Sequence, residues 1–482
     1  MHLDHQHCYE ALKARDTRFD GTFFVAVSTT GIYCRPICTA KLPRVDRCSF
    51  YPNAALAEKA GYRPCLRCRP ELAPGLSVVD AQRTAAYWAM ARIREGALDH
   101  ASWDDLAGKY GLSSRQLRRA VEREYGVPPI ELAQTQRLLL AKQLLTDSSL
   151  GMSEVAAASG FGSVRRFNHL FRTKYGLSPT ALRKQRSPDR SQEGVLLKLA
   201  YRPPLNWAHL AGFLASRGAV GVEMEDGRHY RRTVRIGEHR GWISATPIEG
   251  QNQIALQISV GLVPAMSPLL SKVRRLLDLD ANPQVIEAHL EQSTILRSIV
   301  RRASGLRVPG TMDGFDLAVR AIFGQQVSVK AATTLFRRYT EAFGEALATP
   351  HADLNRLSPT AQCVAEARLQ QIIDLGLPAK RAASVHRLAK SIANGELSLE
   401  PSANLELTRA ALLELPGIGD WTASYIVMRA LRDADAFPHG DLGLIKALDL
   451  SKPKALLATA DAWRPWRAYA ALHLWNSLNA GG

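Results

Sequence analysis

The spacing of apolar and polar positions changes several times along the chain, and each change predicts a different kind of element. Between residues 78 and 185 the apolar positions are helical and repeat at an offset of 50: Leu106-Ala107 answers Ala156-Ala157, Leu117 answers Phe167, Val121 answers Phe171, and Tyr125-Gly126 answers Tyr175-Gly176. Each copy reads as a short helix, a turn near Gly111 or Gly160 to Gly162, and a second helix opened by Ser113 or Ser163 as N-cap, with Pro129 and Pro179 closing the two copies. Positions 117 and 121, then 167, 170 and 171, form the stripe expected to be buried. The copies are joined by a helical run from Ile130 to Leu145. After Arg186 the pattern stops in a polar, Pro-containing stretch to Gly194, the best boundary in the chain. From 195 to about 270 the alternation becomes strand-like, as in Tyr230-Arg-Arg-Thr-Val-Arg-Ile and Gln253-Ile-Ala-Leu-Gln-Ile-Ser-Val, with turns at Asp226-Gly227 and Glu249-Gly250. Beyond Pro268 it is helical again.

The chain's 482 residues exceed what one core serves, so several domains are expected. Lys and Arg number 62 against 45 Asp and Glu, a net +17 that favours a polyanionic partner such as nucleic acid. No apolar run approaches a membrane span and the first ten residues are polar, so a cytoplasmic protein without a membrane partner is expected. Six of the seven cysteines precede residue 70, which argues against a disulfide framework. Cys34-Arg-Pro-Ile-Cys38 and Cys65-Leu-Arg-Cys68 are instead two chelating pairs, spaced so that four thiolates converge on one zinc ion. Cys8 and Cys48 lack a paired spacing and read as spectators.

The text around these pairs, Thr29-Thr30-Gly31-Ile32-Tyr33-Cys34-Arg35-Pro36 and Gly61-Tyr62-Arg63-Pro64-Cys65, resembles the N-terminal domain of the Ada alkylation-response proteins over about residues 5 to 72. The resemblance implies that Cys34 is both a zinc ligand and the nucleophile that takes a methyl group from a methylated DNA phosphate. A metal-held thiolate stays a nucleophile at neutral pH, and a phosphotriester, having lost its charge, does not repel it. The tandem repeat resembles the AraC-type DNA-binding domain. Arg115, Arg118 and Arg119 in the first copy, and Arg165, Arg166 and Asn168 in the second, fall on the early turns that enter a major groove, so the two units suit successive grooves about 34 Å apart.

In the last third, Leu415-Pro416-Gly417-Ile418-Gly419-Asp420-Trp421 reads as a helix-hairpin-helix whose glycines permit a tight turn and let backbone N–H groups hold a phosphate. Asp441 follows 24 residues after Gly417. With Asn206-Trp207, Val319-Arg320-Ala321-Ile322-Phe323-Gly324-Gln325 and Trp463-Arg464-Pro465-Trp466, the stretch from about 196 to 477 resembles the AlkA group of helix-hairpin-helix DNA glycosylases. That resemblance implies removal of 3-methyladenine and related alkylated purines, Asp441 as the catalytic carboxylate, and Trp421, Tyr425 and Trp475 as the base pocket. It places Gln326 where a leucine wedge fills the gap left by the extruded base. Trp421 stands where strand-nicking relatives carry a lysine, which implies a monofunctional enzyme. Cys363 lacks a Pro-Cys-His-Arg context, so reversal of O-alkylated guanine is not expected.

The expected fold is therefore multidomain α+β: an Ada-type zinc domain (1–76), an all-α tandem helix-turn-helix (77–186), a linker (187–194), an antiparallel β subdomain (195–270) and a helical glycosylase domain (271–482). The expected partners are double-stranded DNA, as lesions and promoter sites, and RNA polymerase. The contrasting reading is a non-enzymatic activator whose C-terminal half keeps the glycosylase fold only to bind DNA.

Overall fold

The computed structural model describes residues 4–75, 85–184, 194–325, 327–401, 403–449 and 453–479, so most of the predicted linker and Gln326 lie outside the described residues. The helix His5–Ala14 starts on Asp4, whose carboxylate accepts the His7 N–H. It leads into a four-stranded sheet in the order Cys48–Tyr51, Phe24–Val27, Ile32–Cys34, Arg63–Pro64, the last pair parallel. This sheet brings the two cysteine pairs to one edge, because Cys34 ends one strand and Cys65 follows the strand beside it.

The repeat folds as read. Helices Trp103–Gly108 and Ser114–Tyr125 form one unit, and Met152–Ala158 and Val164–Tyr175 the other, joined by Pro129–Asp147. The Ser113 and Ser163 hydroxyls accept the Gln116 and Arg166 N–H groups, which satisfies donors that the helix itself leaves open. Gly126 and Gly176 end the second helices in the left-handed region, at φ +73° and +70°. Leu117, Val121, Phe167 and Phe171 are fully buried, while Leu170 is only half-buried.

Beyond the linker lies a five-stranded antiparallel sheet, ordered Val195–Ala200, Gln253–Ile258, His239–Pro247, Tyr230–Ile236, Glu223–Glu225. The strand from Gln253 stops two residues short of the alternating pattern, because Val260–Ala265 turns into a 3₁₀ segment whose Gly261 lies against the Arg240 carbonyl; a Cβ there would stand 2.3 Å from that oxygen. Helices then dominate to Asn479.

Packing joins the described residues on either side of the boundary predicted after residue 186. One core joins Leu138, Phe167 and Phe171 of the helix-turn-helix region to Leu197, Ile243 and Leu256 of the sheet and to Met266 and Val273 of the helix that follows. A second core is built from the C-terminal helices and takes Phe213 and Val222 from the sheet subdomain. No described helix is long and apolar enough to cross a membrane.

Candidate metal centre and active site

The sulfur atoms of Cys34, Cys38, Cys65 and Cys68 lie within 4.8 Å of one another. Thiolates about 2.3 Å from a zinc ion would stand about 3.8 Å apart at the corners of a tetrahedron, so the set fits one zinc ion. Hydrogen bonding with Cys38, Cys65 and Cys68 drives the Cys34 thiol up, while hydrogen bonds from Cys34, Cys38 and Cys68 hold the Cys65 thiol down. Four sulfurs this close cannot all ionise without a cation to offset their charge, which is the chemistry of a zinc site. Backbone N–H groups of Arg35 and Arg67 donate to Cys68 Sγ and Cys65 Sγ, each at 3.3 Å. Cys38 and Cys65 are buried; Cys34 and Cys68 are partly exposed as whole residues, but within the metal-binding group Cys34 is buried with Cys38 and Cys65, and Cys68 is the least enclosed. Cys8 and Cys48 lie outside the group, and burial pushes the Cys8 thiol up to about 11.

The hairpin lies between helices Leu405–Glu414 and Asp420–Arg429. Gly417 has φ +84°, and a Cβ there would stand 2.3 Å from Ser384 Oγ, so both conformation and space require glycine. Ser384 donates to the Pro416 carbonyl at 2.6 Å and steadies the turn. Gly419 caps the second helix, and nothing lies within 4 Å of where its Cβ would be, so that side of the turn is open. Gln325 Nε2 reaches the Gly417 carbonyl and Thr422 Oγ1, both at 2.9 Å, and ties the preceding helix to the hairpin.

Asp441 caps helix Leu442–Ala447, and its Oδ1 accepts the Leu444 N–H at 2.9 Å. The same carboxylate is clamped by two indoles: Trp475 Nε1 donates to Oδ1 at 2.9 Å and Trp421 Nε1 to Oδ2 at 2.7 Å. The capping role and the position among the aromatics therefore hold together. Trp421 lies parallel to Tyr425, ring centroids 5.3 Å apart and planes 9° apart, and Trp475 meets Tyr425 edge-on at 6.3 Å. Asp441 and the three rings are only half-buried, and Tyr425 and Trp475 pack against the C-terminal core with their remaining surface open to solvent.

Beneath the rings, Arg429 Nη1 donates to the Tyr425 hydroxyl at 2.7 Å and is anchored by the carbonyls of Pro309 and Gly310. Burial pushes the Tyr425 phenol up, but the neighbouring Arg429 and Arg217 guanidiniums outweigh it, and the phenol ends below its ordinary value. Arg217 packs over the Phe213 ring, 3.8 Å from its centroid, with Arg429 at 5.1 Å. The sequence reading missed Phe213, Arg217, Arg429 and the role of Gln325. Only Gln325 carried a signal, since it closes the Val319–Gln325 run.

Arg115, Arg118, Arg165 and Arg166 are all exposed on the early turns of their helices, as are Arg119 and Asn168. Cys363 is exposed on a short helix, Ala361–Glu366, remote in sequence from the cysteine cluster.

Comparison with known proteins places four families along the chain: the metal binding domain of Ada matches residues 7–71, a helix-turn-helix domain 106–185, the AlkA N-terminal domain 196–313, and the HhH-GPD superfamily of base excision DNA repair proteins 319–462. A relative from Mycobacterium tuberculosis, named "Probable bifunctional transcriptional activator/DNA repair enzyme AlkA", is 38% identical over 490 residues, covering 99% of this chain and 97% of the relative. The DNA-3-methyladenine glycosylase 2 of Escherichia coli is 35% identical over 58% of this chain and 95% of its own length. The Ada protein of the same organism is 51% identical over 65 residues, 14% of this chain and 18% of that protein. The solved 3-methyladenine DNA glycosylase of Archaeoglobus fulgidus shares the fold over 58% of this chain and 96% of its own, with a TM-score of 0.51 at 20% identity.

Proposed function

This chain belongs to the family of fused Ada-type regulators and AlkA-type glycosylases, it acts in DNA alkylation repair and its regulation, and from that premise we propose which residues do the work. The glycosylase step falls to Asp441, with Trp421, Tyr425 and Trp475 receiving the extruded base. The observation that carries this reading is the double indole clamp, which holds a half-buried carboxylate beside three aromatic rings. As the N-glycosidic bond breaks, its electron pair leaves with the base and positive charge grows on the deoxyribose, where the carboxylate stabilises it. Water then adds to C1′ and releases a proton, leaving an abasic site. An alkylated purine that starts as a cation leaves neutral, and the faces of the three rings suit it through stacking and cation-π attraction.

Asp441→Asn is expected to keep binding to lesion DNA but to slow base release by a factor on the order of 10²–10³, the loss typical of removing a charge-stabilising group. Excision at the parent rate by the purified variant would reject the assignment. Because Trp421 replaces the lysine of strand-nicking relatives, borohydride should trap no covalent adduct with DNA.

The N-terminal domain takes a methyl group on Cys34 in this reading. When bound, zinc keeps the four thiolates deprotonated. The Cys34 sulfur attacks the methyl carbon, a C–S bond forms as the C–O bond breaks, and the electron pair stays on the phosphate, which regains its charge. Its support is the match to the metal binding domain of Ada and the place of Cys34 in the four-cysteine group. Gly417 and Gly419 would hold a lesion-strand phosphate, and Arg115, Arg118, Arg165 and Arg166 would read promoter DNA. Gln326 is kept as the candidate wedge, and RNA polymerase as the partner of the activator half. The limits 1–76, 77–186, 195–270 and 271–482, with a linker over 187–194, divide these tasks.

A further inference from the structure

A run of buried polar contacts leads from the cysteine cluster to the two helices that carry Trp421, Tyr425 and Trp475. Arg35, whose backbone N–H donates to Cys68 Sγ, pairs through its guanidinium with Asp20, and both side chains are almost fully buried. The Asp20 carbonyl accepts Arg202 Nη2 at 2.7 Å, and Arg202, 1% exposed, also binds the carbonyls of Gly75 at 2.8 Å and Asp280 at 2.6 Å. Arg202 belongs to the glycosylase half, so one guanidinium holds both halves of the chain. Its own carbonyl accepts Arg307 Nη2, and Arg307 Nη1 reaches the Asp278 carbonyl at 2.9 Å.

Asp278 closes the run. One carboxylate oxygen accepts from Arg432, just past helix Asp420–Arg429, and the other accepts the Tyr469 hydroxyl at 2.7 Å from helix Arg467–Asn479. The first helix carries Trp421 and Tyr425, and the second carries Trp475. Asp278 and Arg432 both sit in the left-handed region, at φ +51° and +63°. Neither is glycine, so the surrounding contacts must impose a backbone that such residues rarely adopt.

A buried charge that loses one partner stays uncompensated in a low-dielectric setting, so each member depends on its neighbours. We propose that Arg202 and Asp278 are positioning residues of the glycosylase, and that the zinc-bearing domain, acting through them, seats the helices that aim Trp421 and Trp475 at Asp441. The zinc domain is then a working part of the excision machinery as well as a sensor. The proposal rests on the assignment of Asp441 and the three rings to the active site.

The test uses the full-length chain and a duplex carrying a single 7-methylguanine. Zinc is withdrawn with a chelator and its loss is confirmed by metal analysis. The first-order excision rate is expected to fall by roughly tenfold or more, since small misplacements of reacting groups cost that much. Affinity for the duplex should stay within about threefold, and amide hydrogen exchange should quicken in helix Arg467–Asn479. Arg202→Met should show the same losses with zinc bound, chelation should then add less than about twofold, as expected for two changes on one path, and Arg202→Lys should recover part of the rate. Where Arg202→Met does not fold, zinc withdrawal from the parent and Arg202→Lys decide the matter. An unchanged excision rate and unchanged exchange after proven zinc loss would overturn the proposal, as would a loss confined to DNA affinity. Its failure is separable from failure of the active-site assignment, which Asp441→Asn tests with zinc in place.

Discussion

Single side chains with one indispensable atom give the sharpest predictions. Cys34→Ala removes the sulfur proposed as acceptor, and transfer of labelled methyl groups from methylphosphotriester DNA should vanish. Retained labelling of the variant would take Cys34 out of the role. Gly417→Ala meets both a φ of +84° and a Cβ position 2.3 Å from Ser384 Oγ, so a loss of about 1–3 kcal/mol in unfolding free energy is expected. Denaturant melts of Gly417→Ala and of the double variant with Ser384→Ala check it, because the second change relieves the clash but leaves the backbone strain. Asp441, Trp421 and Trp475 were each named from the chain, yet that both indoles donate to one carboxylate was not legible, because the donors stand 20 and 34 residues from the acceptor. Arg217 and Arg429 gave no sign at all, since an arginine beside an aromatic ring is written identically in sequence to one on a solvated face.

Elements repeat the pattern. The second helices of the two repeat units were placed by the offset of 50 and by serine caps, which are local signals: the hydroxyl that accepts Gln116 or Arg166 N–H lies three residues away. Their arginines project into solvent, so Arg165→Ala with Arg166→Ala should weaken duplex binding and shallow its salt dependence, by about 0.9 in the log–log slope for each phosphate that is no longer neutralised. Excision should persist in the same variant, and a salt titration of DNA affinity beside an excision assay would separate the two effects. The strand from Gln253 was overrun by two residues because alternation continues through Ser259-Val260 while the backbone is already turning against Arg240. Periodicity reports which face is apolar, and it carries no information on where a neighbouring backbone forces a turn.

For the molecule as a whole, a buried carboxyl at the seam between the zinc domain and the helix-turn-helix gives a pH dependence. Glu58 accepts the Tyr33 and Thr135 hydroxyls, the latter from helix Pro129–Asp147, and burial raises it from 4.5 to about 7 against the opposing pull of those hydrogen bonds. Between those values the folded chain keeps a proton that the unfolded chain has released. Stability is therefore full below about pH 4.5, declines as pH rises through the window, and is lowest above 7, a loss on the order of 3 kcal/mol from this group. Glu58→Gln should flatten that decline in melts taken from pH 5 to 8, and an unaltered pH profile would count against it.

The sequence by itself determined the order of the domains, the four-cysteine cluster and the candidate residues of the other sites, because chelating pairs, capping serines, a glycine hairpin and a 50-residue repeat are all written within short stretches of chain. Only the tertiary structure decided how these parts meet. The core that runs from Leu138 to Met312 across the linker, the indole clamp on Asp441 and the buried path through Arg202 join residues far apart in the chain. An apolar stripe or a lone arginine states a need for burial or for a partner, and the same need can be met by many surfaces. Which surface meets it depends on packing all of them at once.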